Sequence, residues 1–312
     1  MTNLDAPFLE LTAGLVPQPP SLAILGARSA MRAAVTDLAA ILDGALVNPW
    51  SWSATGRSDV RYAFFRAYEI LELAAGDAEA ALAGEPARPM VLRLIGPTTA
   101  SRWDLRGLLH GLTDADWDAD PGDGEWTIRR TLAHIIGSQR SFAWGTGWWL
   151  REARRIDDPA LPPRVPADFL AALPDEDTGD VAGSRTEAAA RLDAILDLSI
   201  ERLAGLPDDA LGLGARYAGA PVSIGFRLGR WSSHMREHTI QVEKTLAMLG
   251  RRPTEVDRLV RLLLAAYGRL EAVVSGLPAG AGGATAIVTR AADEARVVAG
   301  SAAESASKRD AR

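Results

Sequence analysis

Apolar residues recur at steps of three and four along most of the chain. The first clear run is Met31, Val35, Leu38 and Leu42, and the same spacing returns at 192–203. Such steps place apolar side chains on one face of an α-helix, whereas a half-buried strand needs an alternation of two. Sustained alternation is nearly absent. The sequence therefore predicts an all-α protein.

The periodic stretches predict helices at about 22–46, 58–83, 98–111, 127–152, 185–205, 225–249 and 254–276. The pair Gly96-Pro97 predicts a break in any helix that precedes it, because proline lacks the amide hydrogen that a helix interior needs. Thr98 or Thr99 can then cap the next helix with its side-chain oxygen.

Two stretches lack this periodicity. Residues 156–183 contain five prolines and many acids, which predicts a long loop of the kind that often covers a binding site. After about residue 276 the chain consists mainly of Gly, Ala and Ser. This composition predicts a flexible tail over 277–312, with a short helix near 286–306 as the alternative.

Composition excludes several classes of function. The chain contains no cysteine, so thiolate metal sites and a cysteine nucleophile are excluded, and any thiol chemistry requires an external thiol. A net charge of -6 argues against binding to nucleic acid, which needs a basic surface. The sequence shows neither a signal peptide nor an apolar stretch of about 18 residues. We expect a cytoplasmic protein without a membrane segment.

Two of the four histidines, His234 and His238, lie in the predicted helix 225–249. Residues four apart share one face of a helix, with Cβ atoms about 5–6 Å apart, so both imidazoles can reach one divalent ion. Arg230 and Gln241 extend the same polar stripe, which needs partners inside a bundle. The alternative is a pair of polar side chains packed on a helix without a metal.

A third histidine, His134, lies in the predicted helix 127–152. If the two helices are neighbours, three neutral imidazoles can converge and leave other coordination positions open, as in catalytic metal sites. Trp126 and Trp231 are near enough in sequence to line such a site, and an anchoring role at the helix entry is the alternative for both. His110 stands beside Gly111 at a helix end, where a cation suits the helix dipole, and it is not included.

The residues around these histidines resemble the DinB/YfiT-like superfamily. GEWTIRRTLAHI is similar to its W-[ST]-x-x-x-x-x-x-H block, and HMREHTIQVEK is similar to its H-x-x-x-H-x-x-Q block. The resemblance covers about 95–276. It implies a four-helix bundle in which His134, His234 and His238 hold a Zn, Ni or Fe ion at one end. The predicted organisation is an N-terminal tail (1–20), a helical N-terminal segment (21–90), the metal-binding bundle (91–276) and the flexible tail (277–312).

The superfamily includes metalloenzymes and thiol-dependent S-transferases and isomerases. The resemblance thus implies a metal-dependent enzyme that combines a low-molecular-weight thiol of the mycothiol type with an electrophile. A divalent ion held by neutral imidazoles keeps its positive charge and lowers the pKa of a bound thiol. Gln241, Arg230 and Trp126 are then candidates to support the ligands or contact the substrate. Related bundles often pair, so a homodimer is one expectation.

Two other functions fit the same residues. One is a non-catalytic metal-binding or sensor bundle whose N-terminal segment engages a partner. The other follows from the H-x-x-E-H pattern at 234–238, an inverzincin protease signature in which Glu237 would be the general base. That protease needs a further carboxylate ligand, for which Glu255 and Glu271 are available, and it leaves His134 without a role. The three-histidine hypothesis uses all three residues and is preferred.

Overall fold

The computed structural model describes residues 5–53, 56–83, 88–278 and 282–308. Helices dominate these ranges, so the predicted all-α class is confirmed. The helices are α1 (Ala6–Leu11), α2 (Leu22–Ala39), α3 (Val60–Leu82), α4 (Met90–His110), α5 (Asp114–Asp118), α6 (Ile128–Glu152), α7 (Ala167–Ala171), α8 (Arg185–Leu203), α9 (Ile224–Met248), α10 (Glu255–Val274) and α11 (Gly282–Ser307). None of these helices has both the length and the apolar composition that a membrane crossing requires.

Two short antiparallel hairpins interrupt the helices. The strands are β1 (Pro49–Ser51) with β2 (Arg57–Asp59), and β3 (Gly214–Tyr217) with β4 (Ala220–Ser223). Strands this short show no clear alternation of apolar and polar residues, and they were not predicted. The second hairpin leads directly into α9.

Hydroxyl caps start the two helices that carry the candidate histidines. The Thr127 side chain accepts a hydrogen bond from the backbone N–H of Arg130 at 3.2 Å, immediately before α6. The Ser223 side chain accepts one from the N–H of Phe226 at 3.0 Å, immediately before α9. Each cap satisfies an amide that the helix itself leaves unpaired. Both histidine-bearing helices therefore begin at defined residues.

Helices α4, α6, α8 and α9 form the predicted four-helix bundle. Helix α6 packs against α8 and α9, and α9 packs against α4. All four helices contribute to the core, with buried residues such as Leu105, Leu132, Leu192 and Met235. A second apolar cluster, which includes Trp144, Trp149 and Trp231, fills the bundle further along α6.

Helices α2, α3, α10 and α11 form a second four-helix bundle. Their apolar faces make one continuous core, with buried residues such as Met31, Phe64, Leu263 and Val288. The predicted metal-binding bundle at 91–276 includes α10, but the apolar face of α10 belongs to this second core. Periodicity shows that a helix has an apolar face and does not show which helices cover it.

The flexible tail predicted for 277–312 is wrong over Gly282–Ser307, which is helix α11. This helix packs along α2 and α3. Most of its buried positions repeat at steps of three and four, and nearly all are alanine: Ala284, Val288, Ala291, Ala292, Ala295, Ala299, Ala302 and Ala306. Alanine has the highest helix propensity, and its small side chain lets neighbouring helices approach closely. Residues 279–281 and 309–312 lie outside the described ranges.

The predicted break at Gly96-Pro97 is also absent, because α4 begins at Met90 and continues through Pro97. Glycines along α4 and α10 explain how packing overrides the local signal. A Cβ atom at Gly96 would lie 3.0 Å from the Ala272 carbonyl oxygen, and one at Gly268 would lie 3.1 Å from Ala100 Cα. The two backbones therefore touch, and this contact holds the first turns of α4 in place despite the missing amide of Pro97.

A buried cluster of charges joins the two bundles. Arg28 and Arg102 are 5% and 1% exposed, and Glu271 is fully buried. Glu271 accepts hydrogen bonds from Arg28 Nη2 at 2.8 Å, Arg102 Nη2 at 2.7 Å and Trp103 Nε1 at 3.0 Å. Asp197 accepts bonds from the same two arginines at 2.6 and 2.7 Å. The two positive and two negative charges balance within one hydrogen-bonded group that spans α2, α4, α8 and α10.

Candidate metal centre

Three histidines converge between α6 and α9. His134 comes from α6, and His234 and His238 come from successive turns of α9. One nitrogen from each ring lies within 4.8 Å of the other two. The Nε2 atoms of His234 and His238 are 3.1 Å apart. Two nitrogens bound to one tetrahedral ion at about 2.0–2.1 Å would be about 3.3 Å apart, so this separation fits a shared metal.

Hydrogen bonds to Nδ1 of two of the rings select the tautomer that leaves Nε2 free to bind a metal. His238 Nδ1 lies 2.7 Å from Gln241 Oε1, and His134 Nδ1 lies 2.9 Å from Glu176 Oε2. Both oxygens are acceptors, so each Nδ1 carries the proton and donates it. The lone pair is then on Nε2 of each ring. This arrangement of an oxygen behind the imidazole is common among metal-bound histidines.

The surroundings of the rings favour the uncharged form that a metal requires. His234 is 9% exposed, and burial lowers its pKa to about 3, helped by the neighbouring His238, His134 and Arg230. Burial also lowers the pKa of His238, partly opposed by its hydrogen bond to Gln241. Both imidazoles are therefore neutral at neutral pH and keep a lone pair for coordination.

Aromatic side chains border the histidines. The Trp126 ring centroid lies 5.2 Å from that of His134 and 6.5 Å from that of His238, nearly parallel to the latter. On the other side, the Phe142 centroid lies 5.2 Å from that of His234 in an edge-to-face contact. Trp126, a predicted candidate for lining the site, is thus placed against two of the three rings. Aromatic rings thus border the three histidines on two sides.

Arg230 lies one turn before His234 on α9 and is held by several contacts. Its guanidinium donates to Glu237 at 2.8 and 2.6 Å and to the Tyr217 hydroxyl at 3.1 Å. Tyr217 is the last residue of β3, so the unpredicted hairpin helps to position this arginine. The pairing with Glu237 partly compensates the positive charge that Arg230 brings to the site.

The protease alternative does not fit the arrangement of carboxylates. Glu237 is bound to Arg230, which lowers its pKa, and it is not among the groups that meet at the histidines. Glu271 is bound in the buried charge cluster, and Glu255 pairs with Arg61. Neither carboxylate proposed as the further ligand is therefore available to the histidines. The H-x-x-E-H pattern here reflects two ligand candidates with an ion-pairing residue between them.

Glu176 is a site residue that the sequence did not reveal. It lies in the 156–183 segment, which contains α7 and a single π-helical turn at Glu176–Asp180. Asp180 in this turn accepts hydrogen bonds from Arg140 Nη1 and Nη2 at 2.6 and 2.9 Å. Arg191 Nη1 donates to the Asp180 carbonyl oxygen at 2.6 Å. These arginines of α6 and α8 fix the turn, so the segment predicted to cover a site does reach the histidines.

Room for the Glu176 side chain comes from Gly137, one turn after His134 on α6. A Cβ atom at that position would collide with the Glu176 side chain. The acids and prolines of 156–183 indicated a loop. No local pattern indicates that Glu176, 42 residues from His134 along the chain, is the acid that contacts it.

Comparison with known proteins places the histidines within one family. The family model of the DinB superfamily matches residues 98–242, from the interior of α4 to the last turns of α9. The match contains His134, His234, His238 and Gln241. Searches of curated proteins and of solved structures found no match.

Proposed function

The chain belongs to the DinB superfamily through residues 98–242, and from this membership we propose that it is a metal-dependent enzyme acting with a low-molecular-weight thiol. His134, His234 and His238 hold the divalent ion, and the reaction is an S-transfer or an isomerisation. One observation carries the metal centre of this proposal: three imidazoles from two helices present nitrogens within 4.8 Å of one another. Packing of an apolar core does not require three imidazole nitrogens to meet at one place.

The donor set limits the metal. Imidazole nitrogens suit Zn, Ni and Fe, whereas Mg and Ca prefer oxygen ligands. Three protein ligands leave at least one position open, as in catalytic zinc sites. When bound, such an ion lowers the pKa of a thiol or water that coordinates to it. Since the chain has no cysteine, the thiol is a separate molecule, and the family resemblance suggests one of the mycothiol type.

The side chains around the histidines have distinct tasks in this proposal. Glu176 and Gln241 hold the protons on Nδ1 of His134 and His238, so that each Nε2 points its lone pair toward the ion. Trp126 and Phe142 border the histidines and would limit water there, which would strengthen electrostatic interactions at the site. Arg230, whose charge acts on His234, can bind an anionic group of the substrate in place of Glu237.

Cobalt substitution tests the proposal. The protein is loaded with Co²⁺, and its visible spectrum is followed while mycothiol or 2-mercaptoethanol is added, with the corresponding disulfides as matched controls. We expect thiols to produce saturable thiolate-to-cobalt absorption and the disulfides to leave the spectrum unchanged. A spectrum indifferent to thiols would refute the thiol enzyme and support the metal-binding or sensor bundle. A protein that does not take up cobalt would refute both.

Glu176 gives a prediction that does not depend on catalysis. The change Glu176→Gln keeps the shape of the side chain but removes the charge that makes His134 a better ligand. Loss of such a supporting partner weakens metal binding by about 10–100-fold. Competition between the protein and a coloured chelator for Zn²⁺ measures the change. Asp168→Asn, an exposed acid in α7 of the same segment, is the control and should bind as the wild type does. Equal affinities for all three proteins would show that Glu176 only contacts the ring.

A further inference from the structure

Side chains form a ladder of three rungs where α2, α4 and α8 meet, and the first two rungs consist of charged residues. Each helix contributes one residue to every rung, and successive rungs are four residues apart. The first rung is Arg28, Arg102 and Asp197, the second is Arg32, Arg106 and Asp193, and the third is Thr36, His110 and Ala189. Steps of four return to the same face of a helix, so each rung continues the one before it.

The first rung is complete. Arg28 and Arg102 share Asp197 at 2.6 and 2.7 Å, and both also donate to Glu271. Every charge in this rung therefore has a close partner of the opposite sign.

The second rung is not complete. Asp193 faces three guanidinium groups, with Arg32 and Arg106 at 3.9 Å and Arg102 at 4.0 Å. These distances exceed those of hydrogen bonds. Arg102 is 1% exposed, and its buried Nε has no hydrogen-bond partner among the described residues. Asp193 thus lies among three cations and forms a hydrogen bond with none of them.

The third rung has no acid at all, because α8 carries Ala189 where a carboxylate would continue the series. The next residue of α8 on this face is another cation, Arg185, whose nearest acid is Asp114 at 3.7 Å. The Asp114 side chain is 93% exposed, so solvent screens this pair strongly. Arg32, Arg106 and Arg185 therefore bring three positive charges to a place where Asp193 is the acid between the helices, with the exposed Asp114 beside Arg185 and Asp257 beside His110.

A groove opens at this position. It has a volume of about 460 Å³ and is lined by Arg32, Arg106, Arg185 and His110 together with apolar residues of α2, α4 and α10. Burial lowers the pKa of Arg106, and the neighbouring Arg32 and Arg102 add to this effect by repulsion. Asp257 lies near His110, whose pKa is lowered by partial burial and by Arg185. His110 is thus neutral at neutral pH and can donate a hydrogen bond without adding charge.

We propose that this groove binds a phosphate group, alone or on a small organic molecule, at the level of Ala189. Arg32, Arg106 and Arg185 are its ligands, and the phosphate takes the place of the carboxylate missing from the third rung. A phosphate dianion attracts these loosely paired guanidinium groups more strongly than a monoanionic carboxylate does. Guanidinium groups bind phosphate oxygens through paired hydrogen bonds. The site is separate from the histidines and needs no metal.

Inorganic phosphate is the probe, titrated at constant ionic strength while the arginine Nε–H signals are followed by NMR. The measurement uses the full chain and is repeated with His238→Ala, so that binding at the metal centre is recognised. We expect saturable binding that persists in His238→Ala, with weaker binding of acetate. Absence of saturation in the wild-type protein would overturn the proposal.

Two variants localise the binding. Arg106→Gln removes a charged donor and should weaken phosphate binding by about tenfold or more. Ala189→Glu supplies the missing carboxylate from the chain itself, so it should abolish binding without loss of stability. Arg290→Gln, an exposed arginine of α11, is the matched control and should bind normally. Phosphate binding that survives both Arg106→Gln and Ala189→Glu would place the site elsewhere and refute the proposal.

Discussion

His238→Ala should remove nearly all bound metal from the purified protein. The remaining histidines come from different helices, and Nε2 of His234 loses the partner that lies 3.1 Å away. Loss of a ligand should weaken metal binding by more than the ~10–100-fold that loss of a supporting residue causes. Elemental analysis after dialysis against a weak chelator measures the metal content per chain. We expect close to one equivalent in the wild type and almost none in the variant.

His110→Ala is the matched control, since His110 lies outside the cluster of three histidines. It should retain the metal content of the wild type. Circular dichroism of both variants should show wild-type helix content, because the four-helix core does not depend on either ring. A wild-type protein without metal, or a His238→Ala protein that keeps it, would contradict the assigned centre.

Glu271→Gln should destabilise the protein by about 3–5 kcal/mol, the usual cost of removing one partner from a buried ion pair. The variant keeps the shape of the side chain but leaves Asp197 as the one acid within hydrogen-bonding distance of the two buried arginines among the described residues, with Asp193 4.0 Å from Arg102. Because the cluster joins both bundles, unfolding should become easier for each of them. Urea denaturation followed by tryptophan fluorescence and by circular dichroism measures the effect.

Glu69→Gln provides the comparison for this second prediction. Glu69 pairs with Arg66 on the surface of α3, where its side chain is 43% exposed. Exposed pairs of this kind contribute about 0–1 kcal/mol. If Glu271→Gln costs no more than Glu69→Gln, the buried cluster does not stabilise the junction of the bundles.

Local sequence carried enough information for the four-helix bundle and its histidines. Apolar steps of three and four marked the helices, and the two family blocks named His134, His234 and His238. Both signals are short-range, because each is read within one helix. The structure adds that the two helices are neighbours, which brings the three rings together.

Glu176 and the second bundle required information that short-range patterns do not contain. Glu176 reaches His134 only because Arg140 and Arg191 fix a distant turn. The C-terminal helix did carry a readable signal, since its alanines repeat at helical steps. Its composition nevertheless resembled that of a disordered tail, and the value of small side chains is evident only when α2 and α3 lie against them.

Helix α4 packs on α9 in one bundle and on α10 in the other. Its buried positions, among them Ile95, Trp103 and Leu105, consequently point into two different cores. A substituted side chain there has to pack against helices on both sides, whereas the outer surface of α11 is exposed to solvent. During divergence, α4 should be the slowest stretch to accept change, even though it supplies none of the three histidines.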